Sequence, residues 1–168
     1  MNPQPNPTTS AHAGEYLSFR LGREEYGIPI LAVQEIRGYT EPTRLAHPQP
    51  HLKGVVNLRG VIVPIVDLRL KLGMPAAYND LTATIVLNIG GKVTGIVVDA
   101  VSDVLALTPA QIKQPPSFAN SGGADTPYVT GIGTQTRGEA EAMLILVDIE
   151  CLLAGDGTGL LDTAALAA

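Results

Sequence analysis

Catalysis by this chain would have to come from a small set of side chains. The histidines are His12, His47 and His51. His47 and His51 stand four apart, the spacing that puts two imidazoles on one helix face, but Pro48 and Pro50 forbid that helix. No third ligand lies near them, so solvated loop histidines are expected and no metal. Cys151 is the only cysteine, which excludes an intramolecular disulfide and a multi-cysteine metal centre. Its setting, Ile149-Glu150-Cys151-Leu152-Leu153, reads as a packed thiol on an apolar helix face. No Gly-x-Ser-x-Gly motif is present to present a nucleophilic serine. Gly90-Gly91-Lys92-Val93 lacks the earlier glycine and the Ser or Thr of a phosphate loop and reads as a hairpin turn. Asp156-Gly157-Thr158-Gly159 lacks the ligand series of a calcium loop. No cofactor is expected.

Asp67 and Asp148 each follow an apolar run and precede a short helical pattern, so helix capping accounts for both. An acid and base pair would need two unlike environments, and these are alike. Two other charges stand out. Glu35 lies between Val33 and Ile36, and Arg59 lies within Asn57-Leu58-Arg59-Gly60-Val61. A fixed charge beside exposed Val and Ile is what a protein-binding surface requires.

The elements that must position these residues are short strands. Tyr16 to Leu21 and Tyr26 to Ile30 predict a hairpin, and Leu31 to Ile36 turns into another strand. Gly38 to Pro50 reads as an exposed loop. Val55 to Leu58 and Val61 to Val66 flank a turn at Arg59-Gly60, with a short helix from Asp67 to Gly73. Thr84 to Asn88 and Val93 to Val98 predict a hairpin over Gly90-Gly91. A strand follows from Val101 to Leu107, then a capped turn at Thr108-Pro109. Pro115 to Pro127 is a loop, Tyr128 to Thr134 and Ala142 to Val147 form a last hairpin, and Asp148 caps a final helix.

The grammar repeats. Tyr26 to Ile36 aligns without gaps on Thr94 to Val104, and Gly54, Arg59-Gly60 and Ile65 to Leu68 align on Gly131, Arg137-Gly138 and Leu146 to Ile149. Each half is then a β-unit of about five strands, too small to bury much apolar area alone, so the two must share a core. That core must be aliphatic, because Trp is absent and aromatics are 4% of 168 residues. Net charge is −5, with 11 basic residues scattered among 16 acidic ones, which argues against nucleic acid. No apolar run approaches a membrane span, and Met1 to Ser10 lacks the basic and apolar regions of a secretory signal. The expected organisation is a disordered arm over 1–14, an ordered domain of two intertwined β-subdomains over 15–154 and a poorly ordered tail over 155–168, in the cytoplasm.

Val33 to Tyr39, Lys53 to Arg69 and Gly95 to Leu105 resemble the CheW family of chemotaxis coupling proteins, and the likeness spans about Glu15 to Leu153. The resemblance implies an all-β fold with short helices, two five-stranded SH3-like β-barrels sharing the aliphatic core. It implies a non-catalytic adaptor that joins the cytoplasmic tip of methyl-accepting chemotaxis receptors to the regulatory domain of a CheA-like histidine kinase, meeting the membrane only through receptors. A scaffold for a non-chemotactic kinase system is the alternative. By position, Val33, Glu35, Ile36, Arg59, Val101 and Val104 match receptor-facing residues, with Arg59 able to pair with Glu35. Gly54, Gly60 and Gly95 match glycines that shape the barrels. The linker Gly73 to Ala77 is shorter than the family pattern, and the tip Thr134 to Ala142 is longer.

Overall fold

The computed structural model describes residues 13–44, 46, 51–114, 128–137 and 139–154. The expectations for residues 1–12 of the arm, the tail, His12, His47 and the Pro115–Pro127 loop lie outside them. Within them the chain is mostly strand: β1 (Gly14–Leu21), β2 (Glu24–Pro29), β3 (Val33–Gly38), β4 (Leu52–Leu58), β5 (Val61–Asp67), β6 (Ala83–Ile89), β7 (Lys92–Val98), β8 (Ala100–Leu107), β9 (Ile112–Lys113), β10 (Val129–Arg137) and β11 (Ala140–Val147). The helices are α1 (Leu68–Lys71) and α2 (Ile149–Ala154), with 3₁₀ turns at Ile30–Ala32 and Pro109–Gln111.

The strands form two sheets, one ordered β8-β1-β2-β11-β10-β9 and the other β3-β6-β7-β5-β4. The repeat appears as paired geometry. β2 runs parallel to β11 with Gly27 opposite Leu146, and β7 runs parallel to β5 with Gly95 opposite Ile65. The halves do not form one barrel each. The hairpin β1-β2 of the first half joins β8, β10 and β11 of the second, while β6-β7 joins β3, β4 and β5. The halves exchange their leading hairpins, so each barrel draws strands from both halves of the repeat.

Each sheet curls toward closure by the same device. After β3 the chain crosses to the far edge, where Thr43 bridges Val55 of β4 with both N–H···O bonds at 2.9 Å. After β8 it crosses through the 3₁₀ turn to β9, whose Lys113 pairs with Ile132 of β10. Val55 and Ile132 each follow a repeat glycine, Gly54 and Gly131. The two-residue β9 was not foreseen, and it is the sixth strand of a sheet expected to have five. A capped helical turn was expected at Thr108 to Ile112. It is a 3₁₀ turn in which the Thr108 N–H donates to Gln111 Oε1 at 2.8 Å.

Three clusters make up the core. Leu17, Phe19, Leu21 and Ile28 of one sheet meet Ile85, Leu87, Ile96 and Val98 of the other in the shared cluster, with Leu152 and Leu153 of α2. Tyr16, Leu105, Leu107, Leu144 and Leu146 fill the inside of the first curled sheet. Leu58, Val63, Ile65, Val86 and Val97 fill the second. Runs such as Ile85-Val86-Leu87 are apolar at every position because one face points into a barrel and the other into the shared core. The aliphatic expectation holds with Phe19 and Tyr16 as aromatic additions.

Short local signals set the turns. Arg59 and Gly60 both have positive φ, 54° and 90°, as do Gly90 and Gly91, 59° and 86°. Positive φ at both central residues suits the right-handed twist of a two-residue hairpin. Asn57 Oδ1 accepts from Gly60 N at 2.8 Å, and Asn88 Oδ1 accepts from Gly91 N at 3.0 Å. Asp67 caps α1 and Asp148 caps α2, accepting from Arg69 N at 3.0 Å and Cys151 N at 3.1 Å. Gly73, φ 77°, ends α1 as expected.

Candidate functional site: charges at the barrel edge and at the barrel junction

Glu35 and Arg59 come from opposite edges of the five-stranded sheet. Glu35 sits on β3, and Arg59 on the tip joining β4 to β5. Curling brings the edges together, and Arg59 Nη2 donates to Glu35 Oε2. Arg37 Nη1 lies 4.0 Å from Glu35 Oε1. The Arg59 side chain is 69% exposed and Glu35 25%, so this is a surface pair. Ile36, Val61 and Ile62 on the same strands and tip are also exposed.

The other expected site residues fall as follows. Val33 is half-buried against the shared core, while Ile36 is exposed on β3. Val101, half-buried, and Val104, exposed, hold the matching places on β8. β3 and β8 are edge strands of different sheets and are not hydrogen-bonded neighbours. Gly54 has φ 143°, and a Cβ built there would stand 2.0 Å from the Thr43 carbonyl oxygen, so only glycine permits the closing bridge. Gly60 supplies the turn. At Gly95 a Cβ would stand 2.7 Å from Ile65 Cδ1, which explains a glycine where β7 meets β5.

A second charged group was missed. Arg69 was read only as part of a helix, yet its side chain is fully buried. It binds Asp67 through two bonds, Nε to Oδ1 and Nη2 to Oδ2, both 2.9 Å. Nη1 donates to Asp99 Oδ1 at 2.6 Å and to the Ala77 carbonyl at 2.7 Å. Tyr78 donates to Asp67 Oδ2 at 2.6 Å, and its ring lies under the guanidinium, 4.9 Å from Cζ to centroid. Tyr39 stacks on Tyr78 at 4.7 Å. Burial works to raise the Asp67 carboxyl, but the Arg69 and Tyr78 hydrogen bonds prevail and hold it below the usual carboxylate range. Burial, then donation to Asp67, pushes the Tyr78 hydroxyl well above its ordinary value. The only sequence signal was a pair of charges, Asp67 and Arg69, inside an apolar run. Capping explained Asp67 and hid the pair.

His51 was expected in solvent and is buried. It opens the approach to β4, where its carbonyl accepts from Asp67 N at 2.7 Å and so backs the capped turn. Cys151 is a free, half-buried thiol. Among the described residues no cluster of His, Cys, Asp or Glu could hold a metal, and no helix is long and apolar enough to cross a membrane.

Fold and site define a double-barrel β protein built on a duplicated unit, whose exposed charge pair spans the two edges of one barrel. A model of the CheW-like domain matches residues 15–156. A chemotaxis protein CheW of Klebsiella aerogenes is 54% identical over 152 residues, covering 90% of this chain and 88% of that protein. A probable chemotaxis protein CheW of Rhizobium etli is 36% identical over 139 residues, covering 82% and 86%. The crystal structure of the scaffolding protein TtCheW from Thermoanaerobacter tengcongensis superposes with a TM-score of 0.72 at 28% identity, covering 84% of this chain and 93% of that one. The chain belongs to the CheW-like domain family and is a chemotaxis scaffold of that family. The all-β double-barrel expectation is borne out.

Proposed function

We propose that the chain is a non-catalytic adaptor that couples the cytoplasmic tip of methyl-accepting chemotaxis receptors to the regulatory domain of a CheA-like histidine kinase. The observation that carries this reading is the Glu35–Arg59 pair, set across the two edges of a barrel and flanked by exposed Ile36, Val61 and Ile62. A receptor tip is a helical hairpin with an apolar stripe. Val33, Ile36, Val101 and Val104 supply apolar contact, and the charges set register and reject wrong partners. The protein works in the cytoplasm, recruited to the membrane by receptors, and needs no cofactor.

The test is reconstitution with a receptor cytoplasmic fragment and a CheA-like kinase. Kinase autophosphorylation is expected to rise when the chain is added, and the chain is expected to co-sediment with both partners. Absence of co-sedimentation with either partner, or ATP turnover that tracks the pure chain, rejects the reading. Control of a kinase that answers no chemotaxis receptor would favour the non-chemotactic alternative.

A further inference from the structure

The duplicated fold makes two pseudo-equivalent junctions between its sheets, and they are built differently. At one, Asp99 lies in the link from β7 to β8, where the chain passes from one sheet to the other. One carboxylate oxygen accepts from Arg69 Nη1 at 2.6 Å, on α1, which packs on the sheet of β5 and β7. The other accepts from Gly22 N at 2.6 Å, in the β1-β2 turn of the opposite sheet. The Asp99 N–H also donates to the Arg20 carbonyl at 3.0 Å. One carboxylate therefore bridges a buried cation of one sheet to the backbone of the other.

At the pseudo-equivalent junction the repeat places Leu31 where Asp99 stands and Glu150 where Arg69 stands. Leu31 is 95% exposed and Glu150 is exposed. There the molecule has an open groove of about 580 Å³, with Ile30, Ile89, Val147 and Ile149 among its lining. The same barrel fold is thus made with and without the bridge, so barrel formation does not require it. A buried ion pair costs desolvation that apolar packing avoids, and its best-attested use is to fix one arrangement among several.

We propose that Asp99 is a positioning residue: it latches the two sheets at one junction through Arg69 and Gly22, and so sets the opening of the groove at the other. Packed interfaces pass such a constraint across a small domain because their cores do not deform continuously.

Two readouts test this. Gly22 lies in an exposed turn, so its amide should exchange quickly unless the latch protects it. In the intact protein, native-state hydrogen exchange is expected to show Gly22 protected, and Asp99→Asn or Asp99→Ala to speed its exchange about tenfold or more. The second readout is a distance between spin labels at Glu15→Cys on β1 and Lys92→Cys on β7, one on each sheet, in a Cys151→Ser background. The wild-type distribution should be narrow and the Asp99 variants' broad, while thermal unfolding stays cooperative. Val63→Ala, a core change inside the five-stranded barrel, should leave the distribution narrow. An unchanged distribution in folded Asp99 variants overturns the proposal. If neither variant folds, the wild-type amide decides alone: protection upholds the latch, and exchange at the rate of a free turn overturns it.

Discussion

Arg59 reaches Glu35 from a left-handed backbone conformation. Its φ of 54° is the only positive value at a non-glycine position among the described residues, and from there its guanidinium closes on the carboxylate of the opposite sheet edge. A side chain in that conformation costs roughly 1–2 kcal/mol relative to glycine. An exposed ion pair returns below about 1 kcal/mol. The pair therefore does not account for the presence of arginine here by stability, which supports the docking role proposed for it.

Arg59→Gly is expected to leave the melting temperature unchanged or to raise it, by relieving the backbone, while weakening coupling to receptors. Arg59→Ala should lower stability slightly, because alanine keeps the strain and lacks the bond. Calorimetry beside a receptor co-sedimentation assay checks both. If Arg59→Gly melts several degrees lower, the pair is structural.

Glu35→Ala, Arg59→Ala and the double variant should give a stability coupling below about 1 kcal/mol, since the arginine is mostly exposed. In receptor binding the double variant should lose less than the sum of the singles. Strictly additive binding losses would separate the two residues.

Gly54→Ala should be the costlier of two glycine substitutions, by roughly 1–3 kcal/mol relative to wild type. Its new Cβ meets the Thr43 carbonyl, which is backbone and cannot swing aside, and its φ of 143° is unfavourable. At Gly95→Ala the obstacle is the end of the Ile65 side chain, so Ile65→Val should recover much of that smaller loss. Chemical denaturation of the four proteins reads the order directly.

Arg69→Met removes the cation from beside the buried Asp67 carboxylate and should cost roughly 3–5 kcal/mol. Asp67 also sets an acid dependence. Its carboxyl in the folded chain lies below its value in the unfolded chain, which is about 3.9. Its stabilisation is therefore fully present above about pH 4 and is lost as pH falls through the folded value. Wild-type stability should fall in that acid window, and Asp67→Asn should be less stable at neutral pH with a flatter acid slope. Equal slopes would remove Asp67 from the acid response.

By itself the sequence determined the elements and the repeat. Asn57-Leu58-Arg59-Gly60 specifies a tight hairpin because the turn demands positive φ and glycine meets it. Asp67 and Asp148 mark helix starts because a carboxylate satisfies free N–H groups. Such signals act within a few residues, so they survive reading along the chain. The pairing of Glu35 with Arg59 was legible only with the help of family resemblance. Three facts belonged to the tertiary structure alone. Which hairpin is exchanged, β1-β2 into the sheet of β8, β10 and β11, is decided by strand pairings between residues far apart in the chain. His51 is buried, and its carbonyl accepts from the N–H of Asp67, a partner reading along the chain does not place beside it. Arg69 is buried between Asp67 and Asp99, because residues 30 apart meet only when both sheets are assembled, and a charge's burial depends on what the rest of the chain places around it.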